Sequence, residues 1–201
     1  LLARINGRTE VITVILAGMI VGALFAALVS VVQFVADPNT SLPAIVYWLM
    51  GSFSTATWSR LWLAVPGMFV GLSAVWLLRY RLNLLALEEH EALSLGVSPD
   101  RERWYVFVAI SLMTGTSVVV AGIIGWIGLV VPHAARILVG EDHRALIPAS
   151  ALLGAAYLTL IDTMARTLTA AEIPLGVLTA LVGAPVFAYL LRRHFREANR
   201  A

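Results

Sequence analysis

The ionisable side chains of this 201-residue chain are few: 12 Asp and Glu, 14 basic residues that are all Arg, and 4 His, with no cysteine. Those inside long apolar runs come first as candidates for chemistry, because an ionisable group kept in an apolar run is a functional candidate by default. His133 follows Pro132 in such a run and invites a metal or proton-relay role. No second ligand stands three or four positions away, His143 falls ten residues on, and a zinc site needs at least three convergent ligands. A neutral imidazole bonded to backbone freed by Pro132 or by a nearby glycine turn fits better. Asp162 invites comparison with an intramembrane protease aspartate, but that chemistry needs two and no partner exists. The absence of cysteine excludes disulfide scaffolds, iron-sulfur clusters and thiolate zinc. No Walker-type glycine-rich loop is present, so the chain is expected to hydrolyse nothing and to hold no metal.

The elements around these residues are long and apolar. Hydrophobic residues make up 60% of the sequence and charged ones 13%, with mean hydropathy +0.87. A net charge of +2 on such a chain supplies no basic stripe for nucleic acid. Val11 to Ala36 reaches roughly 39 Å as a helix, enough for one tilted span of a core about 30 Å thick. Asp37-Pro38-Asn39 ends it. Ser41 to Thr57 reads as a short interfacial helix, with Trp48 and Trp58 at headgroup depth. Arg60 to Leu78 is a second span. Nine charges between Arg79 and Arg103 place that stretch in water.

Trp104 to Ala135 would reach roughly 48 Å as one helix, so it must turn back. Gly122, Gly125, Gly128 and Pro132 mark a re-entrant turn, with a third span ending near Gly122 and a short fourth from Ile127 to Leu138. Pro148 opens a fifth span closing near Arg166, and Pro174 a sixth closing at Arg192-Arg193. Six spans put 12 of the 14 arginines on one side and only Arg60 and Arg166 on the other. By the positive-inside rule both ends are cytoplasmic and those two arginines are exterior. Residue 1 is Leu and the first apolar run is a full span, not a cleavable signal, which reads as a chain that starts at an internal residue.

In the long cytoplasmic loop, residues 84–97 alternate Leu84, Leu85, Leu87, Ala92, Leu93 and Leu95 with Glu88, Glu89 and Glu91 at helical spacing, and Gly96 caps the helix. So many carboxylates disfavour an anionic leaflet and favour a soluble partner. Gly18 and Gly22 stand at the small-xxx-small spacing of close helix packing.

The segments Gly122-Ile-Ile-Gly-Trp-Ile-Gly-Leu-Val-Val-Pro-His-Ala-Ala-Arg136, Gly140-Glu-Asp-His-Arg144, Glu172-Ile-Pro-Leu-Gly176 and Gly183-Ala-Pro185 together resemble the FecCD (BtuC-like) permeases of binding-protein-dependent ABC importers. The resemblance runs in order over nearly the whole chain. It implies an all-α polytopic transmembrane bundle in the bacterial inner membrane, of which 1–201 is a single permease domain carrying the last six of ten helices. It also implies a second permease subunit, an extracytoplasmic substrate-binding protein, and cytoplasmic ATPase subunits that hold the ATP and magnesium; this chain would bind no cofactor.

On that resemblance the ATPase docks on a coupling segment 83–98 through Leu87, Glu88, Ala92, Leu95, Gly96 and Val97, with Gly96 either a helix cap or a close-approach point. Arg166 either snorkels and pairs with Asp162 or, like Arg60, docks the binding protein. Asn6, Gly7, Thr9, Gly18 and Gly22 would border the gate and pathway. Cargo would be an iron-siderophore chelate, with haem or cobalamin as alternatives. The competing class is a secondary transporter or channel that needs no ATPase, whose marker would be paired ionisable residues at mid-span or an inverted repeat; neither is found.

Overall fold

The computed structural model describes residues 11–198 apart from Thr55, Ala86, Glu88 and Ala170. Every regular element in it is a helix: α1 (Val11–Val35), α2 (Ser41–Leu49), α3 (Trp58–Leu84), α4 (Glu89–Ser94), α5 (Pro99–Ala121), α6 (Ile127–Val139), α7 (His143–Thr167) and α8 (Leu175–Ala198). The chain divides into a unit of residues 1–46 and one of residues 47–201.

In the first unit, α1 is 25 residues long, predominantly apolar and without a charged residue. Its side chains are mostly exposed, which would be ruinous in water but is neutral against lipid tails. Asp37 then starts α2: its carboxylate accepts the backbone N–H groups of Asn39 and Thr40, both at 2.9 Å, and the Thr40 hydroxyl at 3.0 Å. These bonds favour the charged form and hold the Asp37 carboxyl below its usual range.

In the second unit α3 packs along α5, α6 along α7, and α8 against both α6 and α7. Its core is Ile161 and Ala165 of α7 against Leu175 and Leu178 of α8, with Phe53, Ile124, Tyr157 and Val182 around them. The close helix pair is built on glycine, at positions the sequence reading passed over. A Cβ on Gly67 or Gly71 of α3 would strike Thr116 or Met113 of α5, whereas one on Gly18 or Gly22 would meet open space. Gly67 and Gly71 thus form a small-xxx-small pair within the second unit.

Among the described residues, four helices are long and apolar enough to cross a membrane: Ile12–Val35, Trp58–Leu84, Pro99–Ala121 and His143–Thr167. The apolar stretches Ile127–Val139 and Leu175–Leu190 are shorter. At about 1.5 Å per residue α6 reaches about 20 Å, less than the hydrocarbon core.

Three sequence boundaries shift. The expected helix 41–57 stops at Leu49, because the chain from Met50 to Ser52 is held by bonds to other segments. Ser52 N–H donates to Ala121 O at 2.9 Å, while Leu175 N–H and Gly176 N–H donate to Gly51 O and Met50 O at 2.8 and 2.9 Å. The second span continues to Leu84, not Leu78, because a helix does not stop where charges begin and Arg is a good helix former. The helix expected over 84–97 shrinks to Glu89–Ser94.

Candidate coupling and docking surfaces

The end of the bundle that carries α4 is tied together by side chains of α3's last turn. Arg81 Nη1 lies 2.5 Å from Glu102 Oε1 on α5. The Glu102 side chain is only 6% exposed, and its other oxygen, also buried, accepts no hydrogen bond. Two residues on, Asn83 donates its amide to Asp142 Oδ1 at 2.7 Å, while its carbonyl accepts the His143 backbone N–H at 2.9 Å and faces the His143 ring Nδ1 at 2.7 Å. Asp142 caps α7 by accepting the Arg144 N–H at 2.9 Å. That backbone bond first, then the Asn83 amide, holds the Asp142 carboxyl below its usual value. The Arg144 guanidinium lies over the Tyr80 ring at 4.7 Å, and Arg79 covers Trp76 and Tyr80 at 4.2 and 4.7 Å.

Between these anchors hangs α4. It ends in a Schellman motif: Gly96 N–H donates to Leu93 O and Val97 N–H to Ala92 O, each at 3.0 Å. The motif requires Gly96 at φ +76°, and a Cβ there would meet no neighbour. Leu87, Leu93 and Leu95 are exposed, at 43, 51 and 60%. Ala92 is fully buried, so it anchors the helix within this chain. Glu88, like Asn6, Gly7 and Thr9, lies outside the described residues.

At the far end of α7, Arg166 Nε bonds Asp162 Oδ2 at 3.0 Å, and Nη1 lies 3.6 Å from Glu172 Oε1. The pairing with Asp162 is thus made, and the guanidinium remains 44% exposed. Arg60 lies in the first turn of α3, its N–H accepted by the N-cap Thr57 hydroxyl at 3.4 Å. The two arginines stand on different helices, Arg60 at the start of α3 and Arg166 at the end of α7.

The turn between α5 and α6 spans Gly122 to Trp126. Gly122 has φ +69°, and a Cβ there would strike Trp48 O and sit 3.0 Å from Gly51 Cα. Gly51, at φ +74°, abuts Ile123 O, and Gly176 abuts Met50 O. Three glycines thus let three backbones meet, and of these only Gly122 was singled out as a turn residue. Gly125 and Gly128 stand in open space, and the second left-handed residue is Trp126, at φ +65°. Its Cβ sits over Gly183, where a side chain would come within 2.8 Å.

His133 meets the Phe187 ring edge-on, with centroids 6.2 Å apart. Among the described residues no three His, Cys, Asp or Glu side chains gather as metal ligands. A cleft of about 480 Å³ between the 49–50 segment, the turn and α8 has no ionisable residue in its lining.

Membrane-length apolar helices exposed to the outside, a glycine-clasped half-length helix and ionisable groups gathered near helix ends define a polytopic all-α membrane protein. The chain belongs to the FecCD transport family, whose sequence model matches residues 1–193. It is 45% identical over 184 residues to the molybdate import system permease protein of Haemophilus influenzae, covering 92% of this chain and 55% of that protein. It is 41% identical over 187 residues to the cobalamin import system permease protein of Halobacterium salinarum, covering 93% of this chain and 50% of the other. A solved structure assigned to the metal-chelate type of ABC transporter, in an inward-facing conformation, superposes with TM-score 0.88 at 44% identity over 92% of this chain and 60% of that one. The fold is therefore BtuC-like. The chain spans about half the length of the curated relatives it matches.

Proposed function

We propose that this chain is part of the permease subunit of an ATP-driven ABC importer in a bacterial inner membrane. The observation that carries the reading is α4, a six-residue helix that with its flanks exposes Leu87, Leu93 and Leu95 outside the apolar spans yet is anchored by a buried Ala92 and a Schellman cap. Apolar side chains held on a rigid projection in water are what a soluble partner requires. In this reading the segment 83–98 docks a cytoplasmic ATPase through Leu87, Leu95, Gly96 and Val97, and ATP binding there moves the permease by alternating access. Arg60 and Arg166 face the exterior and dock a substrate-binding protein, steering encounter and register more than adding affinity. A second permease subunit completes the pathway, along which Asn6, Gly7, Thr9, Gly18 and Gly22 lie near the gate. Residues 1–201 act as one permease domain that crosses the membrane six times, α6 doing so with the help of the turn before it, and both ends are cytoplasmic.

The cargo we favour is an iron-siderophore chelate, with haem and cobalamin as alternatives. Relatives named for molybdate and cobalamin stand at 45 and 41% identity, so similarity does not choose among metal-centred cargoes. A path that passes such bulky solutes should bind them weakly, and the cleft without ionisable lining supports that. The test is co-purification of the full transporter. Retention of an ATPase that is lost on Leu87→Asp or Leu95→Asp is expected; a complex that never retains one defeats the importer reading and favours a transporter independent of ATP.

A further inference from the structure

Arg81 and Glu102 flank the segment that carries α4 at equal distance from its ends: Arg81 stands in the last turn of α3, and Glu102 in the first turn of α5, with its N–H bonded to Ser98 O. Their 2.5 Å contact closes the neck of this excursion. Three features set it apart from an ordinary surface pair. Glu102 is nine-tenths buried although it is a carboxylate, and the cation it meets is the Arg81 guanidinium. Its second oxygen is buried without a partner, which an apolar residue at this position would avoid. Arg81 shares its turn with Asn83, which grips Asp142 and His143 at the start of α7. Leu85, Leu87 and residues 95–98, the described residues that join α4 to α3 and α5, hold no long-range side-chain hydrogen bond or ion pair.

We propose that the Arg81–Glu102 pair pins the neck of the coupling segment, so that α4 moves with α3 and α5 as one body and passes displacement on to α7 through Asn83. The inference rests on the ATPase-docking reading of α4. Without the pin, a load on α4 would open the neck and be absorbed in the 85–88 and 95–98 connections. Both are positioning residues: neither is expected to touch nucleotide or cargo.

The experiment uses the complete transporter, with its ATPase and binding protein, in lipid vesicles. Spin labels at His90→Cys on α4 and Val108→Cys on α5 report the neck, with and without a non-hydrolysable ATP analogue and magnesium; stimulation of ATP hydrolysis by the binding protein reports transmission. The wild type should give one narrow distance in both nucleotide states. Glu102→Gln should shift or broaden it when nucleotide binds and reduce stimulation several-fold, while the ATPase stays bound. The exchange Arg81→Glu with Glu102→Arg should restore both readouts. Should Glu102→Gln fail to assemble, Arg81→Gln carries the same expectation, since it changes the exposed partner. A wild-type distance that itself changes with nucleotide, or a Glu102→Gln transporter identical to wild type, overturns the pin and leaves the docking reading standing. A wild type that retains no ATPase overturns the docking reading and the pin with it.

Discussion

Asn83 and His143 are 60 residues apart in sequence, yet the Asn83 carbonyl receives the His143 backbone N–H at 2.9 Å and faces its ring Nδ1 at 2.7 Å. Since the amide of Asn83 donates to Asp142, its carbonyl is the acceptor, and the His143 Nδ1 carries a proton. One side chain thus satisfies the first turn of α7 and fixes it to the last turn of α3. Asn83→Ala should lower stability by about 1–2 kcal/mol, the net worth of these bonds. Asn83→Asp should cost more, because its carboxylate would replace a donor facing Asp142. Thermal melting of the detergent-solubilised transporter checks both, and equal melting points for wild type and variants would contradict the bridge.

The Asp142 carboxyl is held below its ordinary value of 3.8 by the Arg144 N–H and the Asn83 amide. A folded-state value lower than the unfolded one means that the folded protein binds fewer protons. The contribution is complete above the ordinary value and disappears as pH falls through the depressed one. Melting temperature should therefore drop as pH falls below about 4, and Asp142→Asn, which keeps a capping oxygen, should flatten part of that drop. An unchanged acid slope in the variant would show that Asp142 does not contribute to it. Asp37, lowered by the Asn39 and Thr40 bonds, has the same sign.

Gly122→Ala should be strongly destabilising, by more than about 2 kcal/mol, because it combines a left-handed backbone with a clash against Trp48 O and Gly51. Gly125→Ala and Gly128→Ala meet no neighbour and should be nearly neutral. Melting of the three variants side by side tests whether the turn rests on one glycine or on several.

Arg166 already has two carboxylate neighbours, Asp162 and Glu172. If it docks a binding protein, Arg166→Glu should abolish association and uptake while basal ATP hydrolysis persists. Asp162→Asn, which removes one of the guanidinium's two carboxylate partners, should preserve or tighten association. Equal loss of association in both variants would instead make the pair a structural brace of α7.

Gly96→Ala places a Cβ in open space but at φ +76°, so the cost to this chain should be only about 1 kcal/mol. A far larger loss of ATPase retention than of melting temperature would mark Gly96 as a close-approach point; parallel losses would mark it as a helix cap.

The apolar runs and their glycine and proline breaks were enough, in the sequence alone, to mark α1, the α5–α6 break, α7 and α8, and the order of short motifs was enough to mark the family. In lipid the backbone must bond within its own helix, so length and hydropathy dictate where helices run. Local capping was legible too, as at Gly96. What only the tertiary structure decided are the joins between distant segments. Gly51 and Gly176 serve backbones from elsewhere in the chain, Gly67 and Gly71 let α5 approach α3, Ala92 turns inward, and Arg81, Asn83, Glu102 and His143 find partners more than 20 residues away. No local pattern signals such partners, because a hydrogen bond or a missing Cβ is specified by whichever chain arrives from the other side.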